Sequence, residues 1–433
     1  SNDRAFFENR PMIDFQRWNR GGGVREWDVS GMVEGYSIDG PQAPSNAHRD
    51  RDEKFNTALF RRLGDLGLLG ITVEEEYGGV GMDATAVAIV NEELGYSDPG
   101  FCLAYLAHAQ LMVNNIAFNG SEEQKARILP KVCSGEWIGC MGMSEPGYGT
   151  DVLGMRTSAT SNEDGSWTLN GRKMWITNGA IDEDGTPADV CMIYARTGEN
   201  QGGRPEITTF IVEKGMAGYS VGQKIIDKLG MRASNTAELV FDDVNIPSSN
   251  VVGSPGESMV HMMRNLEIER IALAAMAVGI SRRCLSIMNT YASEREAFGK
   301  KIRDFGQIQR HIGESWAEYR AMRAYVYDTA RNTNLSRAGN RLDSDGVKLY
   351  ATTAAKNIAD RAIQVLGGYG YVAPGSPAGC TKNCDTRDAV DPALGVACGW
   401  HKRNGRCQTG QYTRPDKEEN LGDCPDPTTT EVP

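Results

Sequence analysis

The stretch WTLNGRKMWI at residues 167–176 decides the fold class, because it has strand patterning and lies between two regions of helical patterning. Two strand-like runs flank Asn170-Gly171, a pair that favours the type I′ turn of a β-hairpin. Short apolar runs predict further strands at residues 190–195, 207–212 and 238–241. Residues 138–246 are therefore predicted to form a central antiparallel β domain.

Helical patterning lies on both sides of this block. Upstream, residues 55–63, 83–94 and 121–132 repeat apolar groups with a helical period, and Ser121 with Gln124 is a capping box. Downstream, an apolar stripe from Val347 to Val365 predicts a long helix that ends at Gly367 and Gly368. The chain is thus predicted to be α+β, with an N-terminal helical domain (1–137), the β domain (138–246) and a C-terminal helical domain (247–372).

The last stretch of the chain, residues 373–433, has a different composition. Pro, Gly, Asp and Thr dominate, apolar periodicity is lost, and five of the ten cysteines lie here, at positions 380, 384, 398, 407 and 424. This composition predicts an atypical flexible tail. Only Cys380 and Cys384 are closely spaced, and no histidine has a partner at a metal-ligand spacing, so no metal site is predicted.

Charge and hydropathy exclude two classes of function. The formal net charge is −11, which argues against a nucleic-acid partner because such proteins need a basic face. The most apolar run, residues 271–280, is about half the length that a membrane-spanning helix requires. The first residues, SNDRAFFENRP, contain no apolar signal core. The sequence therefore predicts no membrane span.

Two polar segments of the β domain are candidates for ligand binding. Residues 141–151, MGMSEPGYGTD, form a turn-rich loop whose backbone N–H groups can wrap a ring system or a phosphate. The Trp175-Ile-Thr177 segment ends a strand, where an indole can lie against a flat ring. An ordinary connecting loop and a core tryptophan are the alternative interpretations.

An acidic position on a helix is the candidate for proton transfer. Glu269 has Ile268 and Ile271 as neighbours, so its carboxylate is expected to lose solvation and its pKa to rise. Glu267 and Arg270 lie beside it. The alternative is a helix-start charge with Arg270 as its partner.

Six segments, taken together and in order, resemble the acyl-CoA dehydrogenase family over about residues 5–372. They are MSEPGYGTD (143–151), NGRKMWITNG (170–179), KLGMRAS (228–234), LEIER (266–270), REAFGK (295–300) and LGGYGY (366–371). The resemblance implies FAD between the β domain and a C-terminal four-helix-bundle domain. It also implies an acyl-CoA substrate, a homotetramer or homodimer, and electron-transfer flavoprotein as acceptor.

The resemblance also assigns roles to single residues. The flavin is expected to be contacted by Met141, Met143, Ser144, Thr150, Trp175, Ile176, Thr177 and Arg295, and, from a neighbouring subunit, by Gln364, Gly367 and Gly368. Thr177 is expected near flavin N5 and Arg295 near the pyrophosphate. The acyl-CoA substrate is expected beside Thr150, Glu267 and Arg270.

Ile268-Glu269-Arg270 resembles the helix motif of isovaleryl-type members, which implies that Glu269 abstracts the α-proton while the β-hydride passes to flavin N5. A Glu-Gly-Thr motif, which supplies the base in most members, is absent from the sequence. The chain departs from the isovaleryl pattern at Val260 and Glu267, where Tyr and Asp are usual, and at Gly306, where Gln is usual. The segment after Tyr371 also lacks the closing motif of the family.

These departures leave two other functions open. One is a catalytically silent relative that serves as a binding subunit, and the other is an acyl-CoA oxidase. The compartment implied by the resemblance is the mitochondrial matrix for a eukaryotic source and the cytoplasm for a bacterial one.

Overall fold

The computed structural model describes residues 46–335 and 339–371, and side chains from residue 49 onward. Its N-terminal part is helical, as predicted. The helices are α1 (Asn46–Asp52), α2 (Thr57–Asp65), α3 (Ala84–Ser97), α4 (Pro99–Leu106), a π-helical segment (Ala107–Val113), α5 (Asn114–Asn119) and α6 (Glu122–Cys133). The capping box at the start of α6 is confirmed, since Ser121 and Gln124 each accept a backbone N–H of the other.

The middle part is one eight-stranded sheet. Its strands are β1 (Gly139–Gly142), β2 (Ser158–Ser161), β3 (Trp167–Thr177), β4 (Val190–Glu199), β5 (Pro205–Glu213), β6 (Tyr219–Lys224), β7 (Thr236–Ile246) and β8 (Val251–Val252). They lie in the order β6-β7-β3-β2-β4-β5-β8, and β1 pairs with β4. The β1–β4 and β2–β4 pairs are parallel, so the expectation of a wholly antiparallel sheet is wrong at these two pairings.

The predicted hairpin turn at Asn170-Gly171 is wrong. β3 runs through this pair as one strand, with β2 on one side and β7 on the other. The pairing with β7 shifts register between Leu169 and Gly171, which marks a bulge. Gly171 has φ +143°, and a Cβ there would lie 2.6 Å from the Cα of Thr157. Two flanking strands thus outweigh the local turn preference, and the glycine serves the bulge instead.

The C-terminal part contains three long helices within the described residues. The elements are α7 (Ser258–Glu294), β9 (Glu296–Ala297), β10 (Lys300–Lys301), α8 (Gly306–Asn332), α9 (Arg341–Leu366) and the short α10 (Gly368–Tyr371). Gly367 follows α9 with φ +59°, as the sequence predicted for its end. The resemblance implied a four-helix bundle within residues 247–372, and the described residues of this range contain three long helices. The predicted cysteine-rich tail (373–433) lies outside the described residues.

Helix α3 of the N-terminal part crosses α7 with backbone touching backbone. A Cβ on Gly95 would lie 2.6 Å from the carbonyl oxygen of Met276, and one on Gly279 would lie 2.1 Å from that of Glu92. Only glycine fits at such separations. The crossing therefore joins the two helical parts tightly and fixes where α7 lies.

Two helical stretches are long and apolar enough to cross a bilayer by length and composition, Pro99–Asn119 and Ser258–Glu294. Their most apolar windows are 78% and 67% buried inside the protein. Packing in the core accounts for their apolar character.

Candidate active site

The loop after β1 is fastened to β3 by a buried ion pair. Lys173 is fully buried, and its Nζ donates to Glu145 Oε1 at 2.8 Å and to the carbonyl of Met143 at 3.1 Å. Glu145 also accepts the backbone N–H groups of Arg156 and Thr157 at 2.7 and 2.9 Å. Burial lowers the pKa of Lys173 to about 8, against the attraction of Glu145. The loop base is therefore held in one position.

Trp175 lies next to this loop. The backbone N–H of Met174 donates to the carbonyl of Ser144 at 2.9 Å, which brings the two predicted binding segments together. Trp175 has φ +67°, a left-handed conformation that is strained for a bulky side chain, and its side chain is 61% exposed. The alternative of a core tryptophan is therefore wrong, whereas its neighbour Ile176 is buried.

The surroundings of Trp175 fit a flat ring with a phosphate-bearing tail. The indole is exposed at the strand end, and Thr177 is half-buried two residues further on. Gly147 and Gly149 of the loop face open space, and Thr150 is exposed. Strain that presents an aromatic surface beside an open polar loop is typical of a ligand site.

Glu269 is half-buried on α7 between the buried Ile268 and Ile271. Burial raises the pKa of its carboxyl to about 7, while Arg270 and Lys348 act against this rise. Within the described residues, no hydrogen bond or ion pair reaches this carboxylate. A carboxyl group with these properties takes up and releases a proton near neutral pH.

The two charged residues beside Glu269 hold α9 against α7. Glu267 is buried and accepts the backbone N–H groups of Gly339 and Asn340 at 3.3 and 3.1 Å, just before α9 begins. Arg270 pairs with Asp345 of α9 at 2.9 Å, so its ion-pair partner is not Glu269. Contact of Glu267 and Arg270 with substrate stays a prediction.

A methionine-rich cluster joins the β domain to α7 just ahead of Glu269. Its members are Met141, Met143, Val152, Met155, Tyr194, Ile207, Met259, Met262, Met263 and Leu266. Leu266 precedes Glu269 by one helical turn, so the cluster links the loop near Trp175 to the acidic position. Sequence reasoning missed it, although the spacing of Met259, Met262 and Met263 was a visible signal.

The remaining predicted cofactor contacts lie at the far end of the helical part. Arg295 ends α7 and is exposed, and Gln364, Gly367 and Gly368 are exposed where α9 ends. The rings of Tyr291 and Tyr369 lie 6.5 Å apart and join these two ends. Arg295 follows Glu269 by 26 residues, a distance of about 39 Å along a helix. The predicted cofactor contacts of one chain therefore form two separate groups, one near Trp175 and the other near Arg295.

The helical parts on either side of the eight-stranded sheet make this a three-part α+β protein. The chain matches three family models: the N-terminal domain of acyl-CoA dehydrogenases at residues 39–136, the middle domain at 140–244 and the C-terminal domain at 259–384. The chain belongs to the acyl-CoA dehydrogenase family, whose members use FAD.

Individual relatives agree with this assignment. The mitochondrial isovaleryl-CoA dehydrogenase of Solanum tuberosum is 41% identical over 76% of this chain and 78% of its own length. Butyryl-CoA dehydrogenase from Megasphaera elsdenii superposes with a TM-score of 0.73 at 31% identity, covering 87% of this chain and 94% of its own. A glutaryl-CoA dehydrogenase from Mycobacterium smegmatis in complex with FADH2 gives 0.71 at 27% identity, covering 89% and 91%.

Proposed function

We propose that this protein oxidises a short or branched acyl-CoA thioester at its α,β bond, with Glu269 as the base. The observation that carries the proposal is the half-buried carboxyl of Glu269, which has a pKa raised to about 7 and no ion-pair partner among the described residues. Such a group removes the weakly acidic α-proton of a thioester at neutral pH. The isovaleryl-type relatives support a branched substrate.

FAD, when bound, accepts the hydride from the β-carbon. Trp175 offers its exposed indole to the ring system, and Met143, Ser144 and Thr177 border the same place. The buried pair of Lys173 and Glu145 keeps this loop in place before the ligand arrives. The chain's own contribution is thus to position the ring, to exclude water and to hold the proton on Glu269.

The separation of the two cofactor groups supports an oligomer. Arg295, Gln364 and Gly368 lie near the end of α7. The other group includes Met141 and Met143, which lie in one hydrophobic cluster with Leu266 beside Glu269, and Glu269 is about 39 Å from Arg295 along the same helix. A single FAD molecule is contacted by both groups if a neighbouring subunit supplies the second one. We therefore infer a homodimer or homotetramer, in which Arg295 binds the pyrophosphate as a charge-assisted partner.

Electron-transfer flavoprotein is the acceptor that this assignment favours, in the mitochondrial matrix or the bacterial cytoplasm according to the source. An acyl-CoA oxidase uses oxygen instead, and a silent relative binds the thioester without reducing the flavin. Both alternatives give distinct results in the experiment that follows.

The test is an anaerobic titration of the purified FAD-loaded protein with isovaleryl-CoA and, separately, butyryl-CoA. We expect the flavin absorption near 450 nm to bleach, more readily with the branched thioester, and to recover with electron-transfer flavoprotein. Rapid recovery with oxygen alone identifies an oxidase. A protein that retains FAD but never bleaches with any short thioester contradicts the proposal and is the silent relative.

A further inference from the structure

Helices α7 and α9 run parallel, and contacts at both ends set their register. At the beginning, Glu267 accepts the N–H of Asn340 at 3.1 Å and Arg270 pairs with Asp345 at 2.9 Å. At the end, Tyr291 packs on Tyr369. The first turns of α9 therefore lie beside the stretch of α7 that carries Glu269.

Lys348 is the next charged residue on this part of α9. It follows Asp345 by three residues, which places both on the same side of the helix. Its neighbour Val347 is fully buried, and Lys348 itself is half-buried. Within the described residues, no hydrogen bond or ion pair engages its Nζ.

The charged groups around Glu269 differ in whether they have partners. On α7, Glu267 is engaged by the backbone before α9, and Arg270 is engaged by Asp345 of α9. Lys348 has neither a hydrogen bond nor an ion pair at its Nζ within the described residues. Its charge acts on Glu269, together with that of Arg270, against the effect of burial.

We propose that Lys348 is a positioning residue for the base, whose charge keeps the carboxylate of Glu269 ionised and ready to accept a proton. The proposal rests on the function proposed above. Burial alone favours the neutral carboxylic acid, which cannot abstract a proton. A cation on the neighbouring helix opposes this without forming a close ion pair, so Glu269 stays free to reach the substrate.

The test compares Lys348→Met, which removes the charge and keeps an unbranched side chain of nearly the same length, with Lys348→Arg, which keeps the charge. Lys356→Met is the matched control, since Lys356 is exposed on the same helix two turns further on. Two readouts are followed from pH 5.5 to 9 in the FAD-loaded protein. One is kcat/KM, and the other is the infrared band of a protonated carboxyl, identified by its loss in Glu269→Gln.

We expect Lys348→Met to raise both midpoints by about one pH unit, because loss of a nearby opposite charge destabilises the carboxylate. Lys348→Arg and Lys356→Met should keep the parent midpoints. Unchanged midpoints in Lys348→Met, or equal shifts in Lys348→Met and Lys348→Arg, overturn the role of the charge. If Glu269→Gln keeps both the infrared band and flavin reduction, the base assignment fails first, and the role of Lys348 fails with it.

Discussion

Helix α7 lies beside buried carboxylates at two sites that differ in their partners: one site is a pair of acids on α3, and the other is its own Glu269. Near Arg282, Glu92 and Glu93 of α3 are buried, and Arg282 binds Glu93 through two hydrogen bonds of 2.7 Å. Glu92 accepts from Arg323 at 3.0 Å and from the hydroxyl of Tyr327 at 2.6 Å. Thirteen residues before Arg282, Glu269 has apolar neighbours and no such partner in the described part of the chain.

This difference in partners distinguishes Glu93, which stabilises the fold, from Glu269, the proposed base. Burial lowers the pKa of Arg282, but the charges and hydrogen bonds of Glu93 and Glu92 outweigh burial and raise it. Arg282 therefore stays charged, and its contacts join α3 to α7. At Glu269 burial dominates, so the pKa rises to about 7 and the group exchanges its proton. Charged and hydrogen-bonding partners, more than the degree of burial, decide whether a buried carboxyl group stabilises the fold or exchanges a proton.

The largest effect on the rate of flavin reduction is expected when the carboxylate of Glu269 is removed. Glu269→Gln keeps the shape but not the base, so reduction of the flavin by substrate should fall by ~10²- to 10⁴-fold. FAD content should stay normal. Stopped-flow absorbance measures the rate, and Glu123→Gln, an exposed position on α6, is the control. Reduction at the parent rate would place the base elsewhere.

Breaking the structural network should cost stability instead of chemistry. Glu93→Gln leaves Arg282 buried with one carboxylate fewer, which should lower the free energy of unfolding by about 3–5 kcal/mol. Replacing both, with Glu93→Leu and Arg282→Met, should recover most of this loss. Urea unfolding followed by circular dichroism measures both. Equal stability of Glu93→Gln and the parent would show that the network contributes nothing.

The same substitution at Glu269 should have the opposite sign in stability. The folded protein raises the pKa from 4.5 to about 7, so ionisation destabilises the fold progressively as pH rises between these values. Glu269→Gln removes this cost and should be about 3 kcal/mol more stable than the parent at pH 8. At pH 4.5 the two should unfold alike. A variant less stable than the parent at pH 8 would contradict an unpaired Glu269.

The smallest predicted effect is the pH dependence of the parent enzyme. Since the proposed base Glu269 must be ionised to accept a proton, kcat/KM should rise with pH to a plateau above about 7. At pH 6, about one unit below the midpoint, it should be about tenfold lower than the plateau. Initial rates in buffers of constant ionic strength measure the profile. A flat profile between pH 5.5 and 8 would mean that Glu269 titrates like an ordinary surface acid.

Features set by neighbouring residues in the sequence were predictable. The capping box of Ser121 and Gln124, the end of α9 at Gly367 and the apolar surroundings of Glu269 all depend on residues within about one turn. The order of helices and strands follows from periodicity in the same way.

Features that depend on distant parts of the chain were not predictable. Asn170-Gly171 has the local chemistry of a turn, yet β2 and β7 hold it inside a strand. Asp345 and Lys348 come about 80 residues after Glu269, so no local pattern shows that they lie beside it. The predicted domain limits, the tail and the substrate contacts of Glu267 and Arg270 stay predictions.

The unbroken run of α7 from Ser258 to Glu294 limits how the length of this protein can change. Inserting or deleting one residue between Glu269 and Arg282 turns one against the other by about 100° and shifts it by about 1.5 Å. Either Glu269 or the buried network around Arg282 is then displaced. Substitutions can accumulate along α7, but changes of length are confined to exposed turns such as residues 162–166, which connect β2 to β3.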